Sequence, residues 1–249
     1  MTLPVFSEEP MESYLGWDFR ISAGLGQTNQ PLVGASSRFT SVKPRVFIDI
    51  SYYGERFFFD EDGIGFNLIE DDDKIINILG RLTDDAALFD DRRYNTDNYE
   101  LADLQNRNYG FLSGFQYFVD KDWGIAELQL LTDISGTHNG QEVIAVYKYI
   151  FEHDRWLLTP SIGMRWKSKN LVNYYYGVRE SEVKPDRPSY EAGSALDWVF
   201  HFESEYSISY HWNIITYLYY EKGGASIYNS PLVEDKYFSE IFAGIEYVF

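Results

Sequence analysis

The stretch from Tyr237 to Phe249 alternates. Counting back from the end, Phe249, Tyr247, Ile245, Ala243 and Ile241 form one set, and Val248, Glu246, Gly244, Phe242 and Glu240 form the other. A period of two is the mark of an extended strand whose faces meet different surroundings. The stretch also ends on an aromatic ring, whereas free termini ordinarily fray into water. The fold must therefore give one face of this strand a continuous apolar neighbour and seat its last residue.

The same alternation recurs along the chain. From Tyr14, Leu15, Trp17, Phe19, Ile21, Ala23 and Leu25 oppose Gly16, Asp18, Arg20 and Ser22; in Arg45 to Tyr53, Val46, Ile48, Ile50 and Tyr52 oppose Arg45, Asp49 and Ser51. A short hairpin follows around Asp62-Gly63, then strands over Lys74 to Thr83, Tyr109 to Val119, Trp123 to Thr132, Glu142 to Glu152 and Trp156 to Lys167. The sharpest alternation is at Leu196, Trp198, Phe200, Phe202, Tyr206 and Ile208, against Asp197, His201, Glu203 and Glu205. Trp212 to Glu221 precedes the closing strand. Pro160 lacks an N–H to donate, so its strand carries a local irregularity. The total is about twelve strands, joined alternately by short turns and long polar loops. The short turns near Gly54, Asp72, Lys121, Asp154 and Ser209 fall on one side, with the Asp62-Gly63 turn a short exception on the other. The loops over residues 84–108 and 168–193 are the longest, and such length suits the outer side of a barrel.

No run approaches the roughly 18 to 20 apolar residues of a spanning helix, so a membrane span here would be built of strands. An aromatic fraction of 18% exceeds what a soluble core of this size uses and matches two interfacial girdles. Twelve strands at ~4.8 Å spacing and ~40° tilt enclose a backbone diameter of roughly 24 Å. Filling it with alternating Trp, Tyr and Phe would strain packing and leave the charges outside, so the charges are expected to line the lumen. The expected lumen network comprises Arg20, Arg45, Asp49, Arg81, Lys148, Arg165, Asp197, His201, Glu203 and Glu205, with Asp18, Glu127, Glu142, Glu152, Lys167, Glu221, Glu240 and Glu246 on the same face. The fold expected is thus an all-β transmembrane antiparallel up-and-down β-barrel over residues 14–249, preceded by an N-terminal periplasmic tail over 1–13. No signal-peptide pattern is visible at Met1 to Pro10, and the chain is read as a mature form.

Several segments together resemble the MipA/OmpV family of outer-membrane proteins. They are Asp62-Gly63-Ile64-Gly65-Phe66-Asn67-Leu68, then Asn173-Tyr174-Tyr175-Tyr176-Gly177-Val178 followed by Pro188, Tyr190 and Gly193, then Ser230-Pro231-Leu232-Val233, then the closing Gly244 to Phe249. The final aromatic is also similar to the assembly signature read by the barrel-insertion machinery. The resemblance implies an integral bacterial outer-membrane barrel in contact with lipid and lipopolysaccharide. It further implies a non-enzymatic scaffold for peptidoglycan (murein) remodelling, with a lytic transglycosylase and a penicillin-binding protein as partners. The alternatives are a small-solute pore and a surface adhesin or antigen.

The net charge of -18 excludes a nucleic-acid partner, which needs a basic face. Zero cysteines exclude disulfides, thiolate metal sites and a Cys-borne lipid anchor. No serine lies in a nucleophile motif. Of the four histidines, His138, His153 and His211 form no metal-ligand spacing, and His201 reads as a lumen group in preference to a catalytic base. The expectation is no enzyme, no cofactor and no metal. Tyr174, Tyr175 and Tyr176 are loop candidates for contact with a ligand or partner, or alternatively girdle residues beneath a loop.

Overall fold

The computed structural model describes residues 15–35, 41–71, 73–89 and 101–249, so the tail expected over 1–13 lies outside the described residues. Thirteen strand segments form one closed antiparallel sheet. In chain order they are β1 Gly16–Asn29, β2 Lys43–Tyr53, β3 Phe57–Asp60, β4 Gly63–Asp71, β5 Lys74–Leu82, β6 Phe111–Lys121, β7 Gly124–Asp133, β8 Gln141–Lys148, β9 Phe151–His153, β10 Trp156–Lys167, β11 Ala195–Ser207, β12 Trp212–Lys222 and β13 Tyr237–Val248. Each pairs with its sequence neighbours, except that β8 and β9 both pair with β10, and β13 closes onto β1 from Arg20↔Val248 to Asn29↔Ser239. Beyond the last strand, the Phe249 N–H donates to Phe19 O at 3.1 Å, which seats the terminal ring on the wall.

β8 and β9 are one stave interrupted opposite Pro160. The Tyr149 N–H donates to Pro160 O at 3.1 Å, but proline returns no bond, and the strand breaks over Tyr149 and Ile150 before Phe151↔Leu158 restores the same register. The barrel therefore has twelve staves. Its connections sort by end: β2–β3, β4–β5, β6–β7, β9–β10 and β11–β12 are tight turns at one end, and the remainder lie at the other. Among the described residues, three short α-helices sit at the loop end: α1 Asp85–Leu88, α2 Lys169–Tyr176 and α3 Ala225–Tyr228.

Burial is inverted relative to a water-soluble domain. Trp17, Ile48 and Phe57 are 63%, 69% and 66% exposed, whereas Asp197, Glu246 and Glu142 are 0%, 1% and 2% exposed. Exposed apolar surface this continuous needs an apolar solvent, and buried charge needs partners. Aromatic pairs across neighbouring strands rim the outer wall: Trp17–Tyr52, Trp156–Tyr206 and Trp212–Tyr247 at the turn end, and Tyr220–Tyr237 at the loop end. Trp212 and Tyr220 lie about 26 Å apart along β12, or ~20 Å along the axis at ~40° tilt, near the height of a membrane barrel's apolar band.

The apolar core proper lies under the loops. Leu171, Val172, Tyr175 and Tyr176 of α2 pack with Leu32, Ala86, Ala192, Ala195 and Ile227. An amphipathic helix buries one stripe in this way, and here the stripe faces the barrel mouth.

Candidate functional site

Strand alternation brings the inward side chains together, and the loops complete the set. Near the loop end, Arg81 of β5 spans to Glu142 of β8 at 2.6 Å and to Asp84 at 2.8 Å. Arg165 of β10 also reaches Asp84, at 3.1 Å, and lies 3.6 Å from Glu142 and 3.8 Å from Glu221. Lys167 Nζ meets Asp85 at 2.9 Å, Asp197 at 3.1 Å and Glu221 at 3.5 Å. Tyr176 OH donates to the same Asp85 oxygen at 2.6 Å, and the Gly224 N–H donates to Asp197 at 2.6 Å. Five staves and two helices thus converge on a single charge cluster in the lumen beneath the loops.

Midway down, Arg45 bonds Glu240 at 2.8 Å and Thr28 at 2.6 Å, and Tyr217 OH donates to Glu240 at 2.9 Å. Phe47 meets Phe242 edge-on, with ring centroids 5.0 Å apart. Phe47 and Tyr217 border two cavities, of about 560 Å³ on the loop side and about 510 Å³ on the turn side. In the latter, Arg20 pairs with Asp18 at 2.8 Å and Glu246 at 3.7 Å. His201 Nε2 lies 3.4 Å from Glu203 Oε1, with its ring edge-on to Tyr217. Ser51 donates to Asp49 at 3.5 Å, Lys148 lies 5.9 Å from the Phe118 ring, and Glu205 lines the same cavity. Glu127 accepts from Gln116 and Gln129 at 2.9 and 2.6 Å on the opposite wall. Glu152 sits apart from these, exposed on β9.

Of the ten residues expected to line the lumen, Arg81, Arg165 and Asp197 lie in the cluster, Arg45 pairs with Glu240, and Arg20, Asp49, Lys148, Glu203 and Glu205 line the turn-side cavity, with His201 beside Glu203. The tyrosines do otherwise. They belong to helix α2, not to an irregular loop or a girdle, and Tyr175 and Tyr176 are 0% and 3% exposed. The physical reason is that the helix turns both rings onto the core under the loops, where Tyr175 OH donates to Asn108 O at 2.9 Å. Of the three, only Tyr174 keeps surface, and its OH accepts from the Asn108 N–H at 3.0 Å.

The cap has a second buried ion pair that alternation does not disclose. Arg107 and Glu182, 1% and 0% exposed in their side chains, join the β5–β6 and β10–β11 loops through two 2.9 Å bonds. Arg107 also donates to the carbonyls of Tyr175 and Gly177, at 3.3 and 3.0 Å, while Glu182 accepts from the backbone of Gln105 and Arg179. Burial alone would raise the Glu182 carboxyl, but these donors outweigh it and hold it at about 2. Nearby, the Gly140 N–H donates to His138 Nδ1 at 3.0 Å, so Nε2 carries the proton and donates to Thr83 Oγ1 at 3.2 Å. Burial lowers this imidazole, with Asp133, Asp85 and Glu142 opposing. Among the described residues, no group of three or more His, Cys, Asp or Glu is arranged to hold a metal ion.

The family model of the MltA-interacting protein MipA matches residues 21–249, nearly the whole barrel. The chain belongs to the MipA family. It is 24% identical to the MltA-interacting protein of Escherichia coli K12, over 93% of this chain and 90% of that one. It is 23% identical to outer membrane protein Omp26La of Vibrio anguillarum, over 75% and 71%. Among solved structures, the COG4313 outer membrane channel of Pseudomonas putida F1 aligns over 100% of both chains, at 8% identity and a TM-score of 0.43, too loose to carry an argument. This MipA-family barrel is thus an integral outer-membrane protein. In barrels of this class the short turns are periplasmic and the long loops extracellular.

Proposed function

We propose that this MipA-family protein is a non-enzymatic interaction barrel that links the outer membrane to murein-remodelling enzymes. The observation that carries this reading is the buried charge cluster that spans the lumen. Side chains of five staves meet around Lys167 and Arg81, and α1 and α2 contribute Asp85 and Tyr176, an arrangement that supports a barrel without a wide diffusion path. Such a barrel serves through its rims. A relative named for interaction with MltA supports that class of protein as the periplasmic partner, and the family resemblance extends the assembly to a lytic transglycosylase and a penicillin-binding protein.

The periplasmic turns are short, so the footprint they offer is small and anchor residues matter. Tyr210, 93% exposed on the β11–β12 turn with its ring edge-on to His211, is the prime anchor. A photo-crosslinking residue at Tyr210 in native envelopes, followed by mass spectrometry, tests the proposal. Capture of a lytic transglycosylase there, and not from an extracellular position such as Lys184, is the expected result. Capture of lipid alone, or large stable conductance in planar bilayers, would overturn it.

A further inference from the structure

The wall of the barrel is unevenly built. Between β2 and β3 the ladder consists of Tyr52↔Phe59 and Tyr53↔Phe58, whereas on its other side β2 stays in register with β1 up to Gly26↔Lys43. The β3–β4 hairpin turns back at Asp60↔Gly63. Strand tilt accounts for little of this: at ~40°, neighbouring strands stagger by ~4 Å, about one residue. The part of β2 above Tyr52 runs roughly 30 Å. Among the described residues, the wall is therefore notched between β2 and the β3–β4 hairpin.

The notch lies at membrane depth. Val46, Ile48 and Ile50 of β2 face outward, and Val46 and Ile48, at 67% and 69%, are the most exposed side chains on that strand's apolar face. An open strand edge is tolerated in hydrocarbon only where it lines a cavity. Behind it lies the turn-side cavity of about 510 Å³, whose lining reaches Ile48 and Ile50 on one flank of the notch and Phe59 on the other.

The cavity has two chemical characters. Phe47, Phe242, Ile215 and Leu157 supply apolar wall, while Glu203, Glu205 and Glu246 face Arg20 and Lys148. Arg20 is already engaged by Asp18 and Glu246. Glu203 Oε1 and His201 Nε2 are buried and lie 3.4 Å apart, and neither makes a hydrogen bond. A volume of this size accommodates a drug-sized ligand.

We propose that this cavity takes amphiphilic organic cations, an apolar body bearing a positive centre, which enter sideways from the outer leaflet through the β2–β3 notch. The apolar body passes Ile48 and Phe59, and the charge settles against Glu203 and Glu205. An anion of the same shape meets excess carboxylate and is rejected. This goes beyond the interaction role proposed above and does not rest on it.

Tetraphenylphosphonium and tetraphenylborate, matched in shape and opposite in charge, are the probes. Their equilibrium uptake is compared between proteoliposomes and protein-free liposomes of the same lipid. A saturable excess of the cation near one per chain, with none for the anion, is expected. Glu203→Gln combined with Glu205→Gln should weaken cation binding at least tenfold, and Ile48→Trp, which leaves the charges intact, should slow its uptake. Heat-modifiable electrophoretic mobility verifies that each variant is a folded barrel. Because the chain has no cysteine, a bimane at Ser51→Cys is a unique label. Brominated acyl chains should quench it, and should leave a bimane at Thr159→Cys on the opposite wall bright. Equal uptake of both ions, affinity unchanged in the double variant, or an unquenched Ser51 label would each overturn the proposal.

Discussion

Replacing Lys167 by methionine keeps most of the side-chain volume and removes the charge that three carboxylates share. Its contacts at 2.9, 3.1 and 3.5 Å are to groups on α1, β11 and β12, and its own side chain is 3% exposed. At an effective dielectric of ~20 each contact represents about 5 kcal/mol of gross attraction. Desolvating the ammonium cancels most of that in the intact protein, but the variant gains nothing back, because the carboxylates stay buried. Breaking a buried pair from one side typically costs about 3–5 kcal/mol. Lys167→Met should therefore lower the unfolding free energy by that amount in urea titrations of the liposome-embedded barrel. Asp85→Asn should cost less in the Lys167→Met background than alone, because the two residues share one contact. A loss under ~1 kcal/mol, the range of solvated surface pairs, with strictly additive variants, would refute the view that a dry cluster spans the lumen.

Arg107→Ala should free the β5–β6 and β10–β11 loops from each other, read as faster limited proteolysis between residues 101 and 110 while the barrel core stays resistant. Acid should loosen the same cap in two steps. His138 is lowered in the folded state, so stability falls as pH drops below its ordinary 6.5; Glu182 is also lowered, so its contribution is complete above 4.5 and lost as pH falls toward about 2. Proteolysis rates across this range check both signs, and Glu182→Gln should abolish the lower step. Pro160→Val restores a donor opposite Tyr149 O, so residue 160 should show hydrogen-exchange protection comparable to its neighbours, with a gain of up to ~1 kcal/mol. Phe249→Ala should slow insertion into liposomes containing the assembly machinery and leave the stability of barrels already folded nearly unchanged, as only a lipid-exposed ring is lost.

Much of this barrel is local information. Alternation in Leu196 to Ile208 or Tyr237 to Phe249 depends only on residues two apart, so strand positions, end-sorting of the connections and the inward set around Arg81, Arg165 and Asp197 can be read without knowing any partner strand. Pro160 announced the break between β8 and β9 for the same reason, since the missing donor belongs to the residue itself. Small boundary differences remain, such as β6 beginning at Phe111 in place of Tyr109.

What tertiary structure alone decided is which charges meet. Asp84 and Asp85 open the long polar loop over residues 84–108 and carry no periodic signal, yet the β5–β6 loop folds inward and delivers them to Arg165 and Lys167 across the lumen. Arg107 and Glu182 carry no periodic signal and meet because two long loops cross the same mouth. Tyr175 and Tyr176 looked available for contact until α2 turned them onto the core. The shortness of β3 was visible, but its consequence, a notch beside Ile48, exists only once β1 holds β2 upright above it. The physical reason is common to all four: a strand's two faces are set by its own backbone geometry, whereas radial convergence inside a closed barrel depends on register, tilt and loop path accumulated around the whole circuit.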